Sequence, residues 1–510
     1  MAATEQQVQP VTLFSFRSTR LWMCLLLTLG LSCTVSMRLD LSMAIVCMVN
    51  STAINEQNSE ILVSQWTNES SRLDDGCPVH KTANSMKSAG YNGHLLWTPQ
   101  MQALLLSTTY YGGMVTIFFS GYVADRFGPK MILIAAVVDY IIVTLLTPTL
   151  AENSYNGFFV SRVFMGIGEG FVFPSGGSAQ GRWFTANERS TIAAIFTSGN
   201  QIAASLTSII SSRLCSSSLG WPAIFYLFGA VALIWIVFWA IFFSNTPQEN
   251  RWISQEEKAF LAQAIKQPSK AADTLPIQWV KLATSAPLIV AVLCQFAYNF
   301  QAATFQAFLP TYFKEELRVP LSQNGFYSTI PFITQLISKL LLSVFADYLK
   351  RKEILEHNRC SKIFQGISST GCALTMFGLA VLPNCNRVWV AGVLLGLFGF
   401  FFSCGIPGFF TSILSLDPRS SGLLTSVGMT FGMLGNICGP LLLSFLDSIA
   451  NERKWFILFS WNVIMNVITG ILFVIFGSAV AQPWSIAKRQ CHMDTEKGVK
   501  VAPSETSEKQ

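Results

Sequence analysis

Six full charges stand in stretches that are otherwise apolar: Arg38 and Asp40 in SCTVSMRLDLSMAIV, Asp139, Arg162 and Glu169 in SRVFMGIGEGFVFPSGG, and Lys339 in ITQLISKLLLSVFAD. In lipid each costs on the order of 2.5–3.5 kcal/mol, so a chain that keeps them must turn them to a partner or to water. Arg38 offers a planar fork that suits a carboxylate or a phosphate. It meets either such an anion or an acid on a neighbouring helix, and not Asp40, which lies two residues on and points elsewhere. Arg162 and Glu169 are seven residues apart, on one helical face and about 10.5 Å apart along the axis. That is too far for a direct bridge, so both can look into one wet cavity at different depths. Gly168 and Gly170 thin the helix beside Glu169 and admit water or another helix. A carboxyl in that setting can take up and release a proton, the chemistry of proton coupling; its alternative is a buried pair with Arg38. Lys339 can contact a substrate or reach toward Lys350, Arg351 and Lys352. Asp139 has no evident partner. Tyr110, Tyr298 and Asn299 can line a pathway or bond across helices. GIGEG is no nucleotide loop, because it lacks the strand and the spacing that such a loop requires.

The elements that carry these charges follow from composition. The chain has 510 residues, 51% hydrophobic and 12% charged, with mean hydropathy +0.44, whereas soluble domains carry about 25% charged residues. Twelve apolar runs recur, near 21–49, 100–120, 131–150, 156–179, 191–212, 222–243, 287–308, 325–346, 363–382, 388–410, 422–446 and 455–480. Each can cross a bilayer core of about 30 Å. Lipid leaves no backbone group unpaired, so an all-α membrane protein of twelve spans is expected. Residues 1–20 are polar and the first run is too long for a cleaved leader, so it is expected to stay as span 1.

Lys and Arg set the orientation. With the N-terminus cytosolic, 22 of the 34 fall in the tails and the even-numbered connections, against nine on the other side and three inside spans. Both termini are therefore expected in the cytosol. The net charge of +6 is mainly this topogenic bias and gives no case for nucleic acid. Two glycosylation sequons, at Asn50 and Asn68, fall in the outer loop 50–96, with Asn68 farther from the membrane. No Cys or His spacing suits a metal, and no disulfide framework is expected. The four His (80, 94, 357 and 492) lie in loops or a tail, which disfavours an embedded enzyme.

The spans divide six and six. A cytosolic tail (1–20) precedes an N-terminal half (21–243); a charged linker (244–286) leads to a C-terminal half (287–480) and a polar tail (481–510). Within the linker, ISQEEKAFLAQAI has a Ser cap and early Glu residues, which predicts a short surface helix. GYVADRFGPK (121–130), between spans 2 and 3, is matched by SVFADYLKRK (343–352), between spans 8 and 9, as a parallel internal repeat would be. Gly121 is expected to let helices approach, Asp125 to pair with a cytosolic Arg as a conformational latch, and Arg126 and Lys130 to meet the anionic leaflet. TFGMLGNICGP (430–440) is expected to pack closely and hinge.

From about residue 20 to 485 the chain resembles the anion:cation symporter branch of the major facilitator superfamily, solute carrier family 17. The resemblance rests on MRLDLSMAIV, LLWTPQMQALLLSTTYYGGM, GYVADRFGPK, SRVFMGIGEGFVFPS, RWFTANERS, GWPAIFYLFG, TPQENRWIS and LPTYFKEELRVPLSQNGFYSTIP. It implies twelve helices around a central cavity and secondary active transport of a small anion with a cation, H+ or Na+, and no other cofactor. It ties Arg38 and Arg162 to the anion, Glu169 to the proton, and Tyr298 and Asn299 to the substrate face. Leu106 stands where the glutamate-carrying branch has His, and Gly177 where sialin has His, so neither substrate is singled out. Sodium-dependent phosphate uptake at the plasma membrane, and a receptor that binds without transport, are the alternatives. The membrane is either the plasma membrane or a lysosomal or vesicular one.

Overall fold

The structure is a computed structural model that describes residues 14–50, 93–185, 189–264, 282–416, 421–449, 453–480 and 482. Asn68 and most of the 50–96 loop lie outside them. Six long helices come first: α1 Thr19–Met48, α2 Pro99–Phe127, α3 Pro129–Asn153, α4 Tyr155–Trp183, α5 Arg189–Cys215 and α6 Pro222–Phe242. The short α7, Gln255–Ala264, precedes α8 Ala286–Glu315, α9 Leu321–Arg351, α10 His357–Val381, α11 Val388–Ser403, α12 Thr411–Leu416, α13 Ser421–Ile449 and α14 Lys454–Phe476. Ten of the helical stretches, with α11 and α12 taken as one, are long and apolar enough to cross a membrane. The other two, α4 and α5, have the length at 29 and 27 residues. Their Gly, Ser and charged residues, rather than any shortness, lower their apolarity.

Local chemistry fixes the helix ends. Thr98 caps α2, its hydroxyl accepting from the Met101 N–H at 3.3 Å ahead of Pro99 in the first turn. Ser154 does the same for α4 through the Gly157 N–H at 3.2 Å. Each such cap satisfies a backbone donor that the helix itself cannot. Between α2 and α3 the chain turns at Gly128, whose φ of +87° suits glycine. The tenth span is not a single rod. After α11 a π-helical turn at Ile406–Phe410 holds Pro407 and a non-helical Gly408, and the Gln365 side chain accepts from the freed Phe409 N–H at 3.2 Å. By contrast, α13 runs unbroken through Pro440. Its glycines do pack closely, and a Cβ at Gly439 would sit 2.8 Å from the Thr304 hydroxyl of α8. The expected packing is seen and the hinge is not.

Packing repeats along the chain. In the first six helices α1 lies on α5, α2 on α4 and α3 on both α4 and α6; later α8 lies on α13, α9 on α11, and α10 on α11 and α14. The two sets meet along the seams α5–α9, α2–α13 and α1–α8. Six side-chain hydrogen bonds cross between the sets among the described residues. Five of them, at Arg38–Gln306, Ser42–Ala307, Lys314–Val46, Ser212–Leu321 and Thr329–Ser205, lie toward the end at which α1 and α5 finish. The sixth, Lys339–Thr197, lies deeper.

Two expectations are corrected here. Cys47 and Cys215 form a disulfide across 168 residues, with Cα atoms 6.3 Å apart. Cys47 falls within an apolar run, but it occupies the last turn of α1, beside the last residue of α5, so the two helix ends meet as a cross-link. Cys385 is disulfide-bonded as well. The α7 helix is not free at the surface. Its Glu257 is fully buried against the start of α1, where Arg20 Nε donates to it at 2.8 Å, the Ser18 hydroxyl at 2.8 Å and the Thr19 N–H at 3.0 Å. Burial alone would push this carboxyl up; the bonds from Arg20, Ser18 and the backbone N–H groups of Thr19 and Arg20 outweigh it and hold the group below the usual glutamate range.

Candidate substrate and coupling site

The intramembrane charges of the first six helices gather between α1, α3 and α4. Arg38 Nη1 donates to Glu169 Oε1 at 2.5 Å, and the Tyr140 hydroxyl donates to Glu169 Oε2. Arg162 Nη2 donates to Asp40 Oδ1 at 3.3 Å and Nη1 to the Met37 carbonyl at 3.3 Å. Two ion pairs thus tie the same two helices: one Arg stands on α1 and the other on α4, each facing a carboxylate of its neighbour. The pairing follows from the spacings. Arg38 and Asp40 point to different faces of α1, while Arg162 and Glu169 are two turns apart on α4, so no ion pair closes within a helix.

The two pairs differ in setting. Arg162 and Asp40 are sealed, with side chains 1% and 0% exposed, and Arg162 lies over the rings of Phe158 and Phe225 at 5.4 and 6.0 Å. Arg162 was expected to look into a cavity; in this conformation it looks into α1. Arg38 keeps 11% of its side chain exposed. Its guanidinium lies 5.5 Å above the Tyr110 ring, and Nη2 reaches Gln306 on α8 at 3.3 Å. Of the two pairs, Arg38–Glu169 is therefore the one that touches both sets of helices.

The glycines around Glu169 bring the helices close. A Cβ at Gly166 would strike the Thr109 carbonyl of α2, and one at Gly170 the Thr116 hydroxyl. A Cβ at Gly168 would lie 2.9 Å from Asp139 Oδ2 of α3. They admit neighbouring helices on both sides. Tyr140 and Gln306 were missed in the sequence. Tyr140 follows Asp139 in an apolar run, and Gln306 follows Tyr298 and Asn299 by two turns; polar residues in a span were the available signal.

The remaining residues lie apart. Tyr298 stacks on Phe402, with centroids 3.9 Å apart, and leans on Phe409. Asn299 donates to the Gln295 carbonyl at 2.9 Å and faces Gly432 of α13. Neither touches the Arg38 cluster. In the α2–α3 turn, the Asp125 carboxylate accepts from the Ser178 hydroxyl at 2.6 Å, and Arg182 donates to the Asp125 carbonyl rather than to its carboxylate, also at 2.6 Å. Arg126 reaches the Tyr122 hydroxyl at 2.7 Å, and Lys130 the Ala240 carbonyl at 2.7 Å. Nothing lies within 4 Å of a Cβ at Gly121; close approach belongs instead to Gly128, whose Cβ would meet Asn245 at 2.6 Å. Asn50 follows α1 with its N–H on the Leu95 carbonyl at 2.9 Å.

Two helix sets packed alike, with a charged cluster buried where they meet, define a secondary transporter. A model of the major facilitator superfamily matches residues 31–440. The chain is 32% identical to an uncharacterized transporter of Caenorhabditis elegans, slc-17.3, over 96% of its own length and 94% of that protein's. It is 27% identical to sialin of Homo sapiens, covering 93% and 92%. A crystal structure of a D-xylose-proton symporter shares the fold, with TM-score 0.62, 15% identity, and 91% of this chain and 99% of that one covered. The protein belongs to the major facilitator superfamily and, within it, to solute carrier family 17.

Proposed function

We propose that the protein moves a small organic or inorganic anion together with a proton, by alternating access of a site between an N-terminal half (21–243) and a C-terminal half (287–480). One observation carries the reading. Arg38, the anion-binding fork, is held by Glu169, and the same guanidinium touches the opposite helix set through Gln306. A proton on Glu169 removes the charge that holds Arg38 and frees the fork for a substrate carboxylate or phosphate. Tyr110 shapes the floor under the guanidinium, and Tyr298 and Asn299 extend the substrate face in the C-terminal half. Arg162 supports the site through Asp40. The turn at Gly121, Asp125, Arg126 and Lys130 acts as a latch through Ser178 and Arg182.

Because ligands shift a two-state carrier only if they bind the states differently, proton and anion must meet in one state. A site that trades one bond of Arg38 for another meets that condition. Both termini face the cytosol, as the Lys and Arg bias requires, and the end closed by Cys47–Cys215 faces the lumen or the exterior, where disulfides persist. Asn68, and less readily Asn50, takes glycan on that side.

The test is uptake into proteoliposomes containing the full chain, with inorganic phosphate, glucuronate and urate as probes. A pH gradient and a sodium gradient are imposed in turn. Uptake of at least one probe, driven by protons and lost in Glu169→Gln and Arg38→Ala, is expected. Full pH-driven uptake by Glu169→Gln would remove the coupling role, and sodium-driven phosphate uptake would establish the alternative.

A further inference from the structure

We propose that Lys339 is a contact of the C-terminal half for the transported anion, binding a carboxylate or phosphate oxygen at the α5–α9 seam. The assignment rests on the transport reading above and names a residue that reading does not use. Lys339 is 7% exposed, within the 31-residue α9. Its ammonium donates to the Thr197 hydroxyl of α5 at 2.5 Å. Among the described residues its ammonium forms no salt bridge. Of the intramembrane carboxylates in the first six helices, Glu169 is taken by Arg38 and Asp40 by Arg162, and Asp139 lies beside Gly168 of α4.

Reaching the membrane surface does not explain Lys339. Asp347, the first charge past the apolar run 325–346, is eight residues on, about 12 Å of helix. A lysine side chain does not span that distance, and this one turns toward α5. A buried ammonium without a counter-charge is costly, whereas one that receives its anion from solution recovers the loss on binding. Its surroundings fit a ligand. Gln201, one turn along α5 from Thr197, keeps its carbonyl oxygen buried and unbonded. On α9, Gln335 and Ser338 are buried beside Lys339. Ammonium, hydroxyl and a free amide oxygen together suit an oxyanion that also carries an O–H or N–H donor.

Position adds the consequence for transport. Lys339 is the deepest of the hydrogen bonds that join the helix sets across the α5–α9 seam. An anion that displaces Thr197 from the ammonium replaces a bond between the halves with a bond to itself, so its arrival loosens the seam.

Two measurements on the purified full-length protein separate this assignment from its parent. The first is the anion-induced rise in melting temperature with phosphate, glucuronate and urate; the second is uptake of the same probes. Lys339→Met should melt no lower than wild type, since it removes a buried charge. It should need roughly tenfold to a hundredfold more anion for the same thermal shift, the scale of one charge-assisted hydrogen bond. Lys339→Arg should restore most of that affinity, and Thr197→Val should keep it. An unchanged anion response in Lys339→Met overturns the assignment, as does a wild type that no probe stabilises. So does a Thr197→Val variant that matches Lys339→Met, because the lysine would then serve only the seam. A wild type stabilised by an anion that it does not carry overturns the transport reading and leaves the lysine assignment standing.

Discussion

At the scale of the residue, the two ion pairs carry different burdens. Asp40→Asn leaves Arg162 charged and sealed among Phe158 and Phe225. Breaking one side of such a pair costs about 3–5 kcal/mol, so a marked drop in melting temperature is expected, and Asp40→Met with Arg162→Met should recover much of it. Tyr140→Phe removes one donor from Glu169 without touching the Arg38 fork. Uptake should fall about tenfold, the scale of one hydrogen bond to a charged group, with little change in melting temperature. The charges themselves were legible in the sequence, because a full charge in an apolar run is conspicuous. Of their partners, Arg38 with Glu169 was legible only as an alternative and Arg162 with Asp40 not at all. Spacing says which residues share a face of α4, but the rotation of α1 against α4 decides that Arg38 meets Glu169 while Asp40 meets Arg162.

At the scale of the element, glycine placement sets helix distance. Gly166→Leu drives a side chain into the Thr109 carbonyl. It should cost about 1–3 kcal/mol as overpacking, measured by thermal melting in detergent, whereas Gly121→Leu should be silent. The spans could be read from apolar runs, and the short α7 from its Ser cap and early Glu residues; the caps at Thr98 and Ser154 were not read there. The docking of α7 could not, because Arg20 and Glu257 are 237 residues apart in sequence. That clasp has a definite pH sense. A carboxyl held low in the folded chain stabilises it above the ordinary glutamate range, about 4.3, and the stabilisation is lost as pH falls through the lowered folded value. Proteolysis of the linker should therefore be slow at pH 7 and faster in acid, and fast at both in Glu257→Gln.

At the scale of the molecule, the hydrogen bonds joining the helix sets gather at the end where α1 and α5 finish, so that end is closed. A Cβ on Gly325 would sit 2.5 Å from Ser212 Cβ. Gly325→Leu should therefore spread the seam at that end and lower proteoliposome uptake about tenfold, the scale of about 1–3 kcal/mol of overpacking; unimpaired uptake by this variant would exclude closure at this seam as a step of transport. The repeat that underlies such motion was visible in GYVADRFGPK and SVFADYLKRK, but the closed end was not. It depends on contacts such as Lys314 with the Val46 carbonyl, which no local pattern encodes.

The paired charges of α1 and α4 also have an electrical meaning. Arg38, Asp40, Arg162 and Glu169 sum to zero, so their joint movement through the membrane field does no net work. Under the proposed coupling, a proton on Glu169 and a monovalent anion beside Arg38 would arrive together and leave that sum unchanged. The field then acts on the two remaining intramembrane charges, Asp139 and Lys339, at most about 2.3 kcal/mol per 100 mV for each charge carried across the whole membrane. Loaded and empty carriers should accordingly feel the same voltage, and a divalent anion should make the loaded step the one that voltage steers differently.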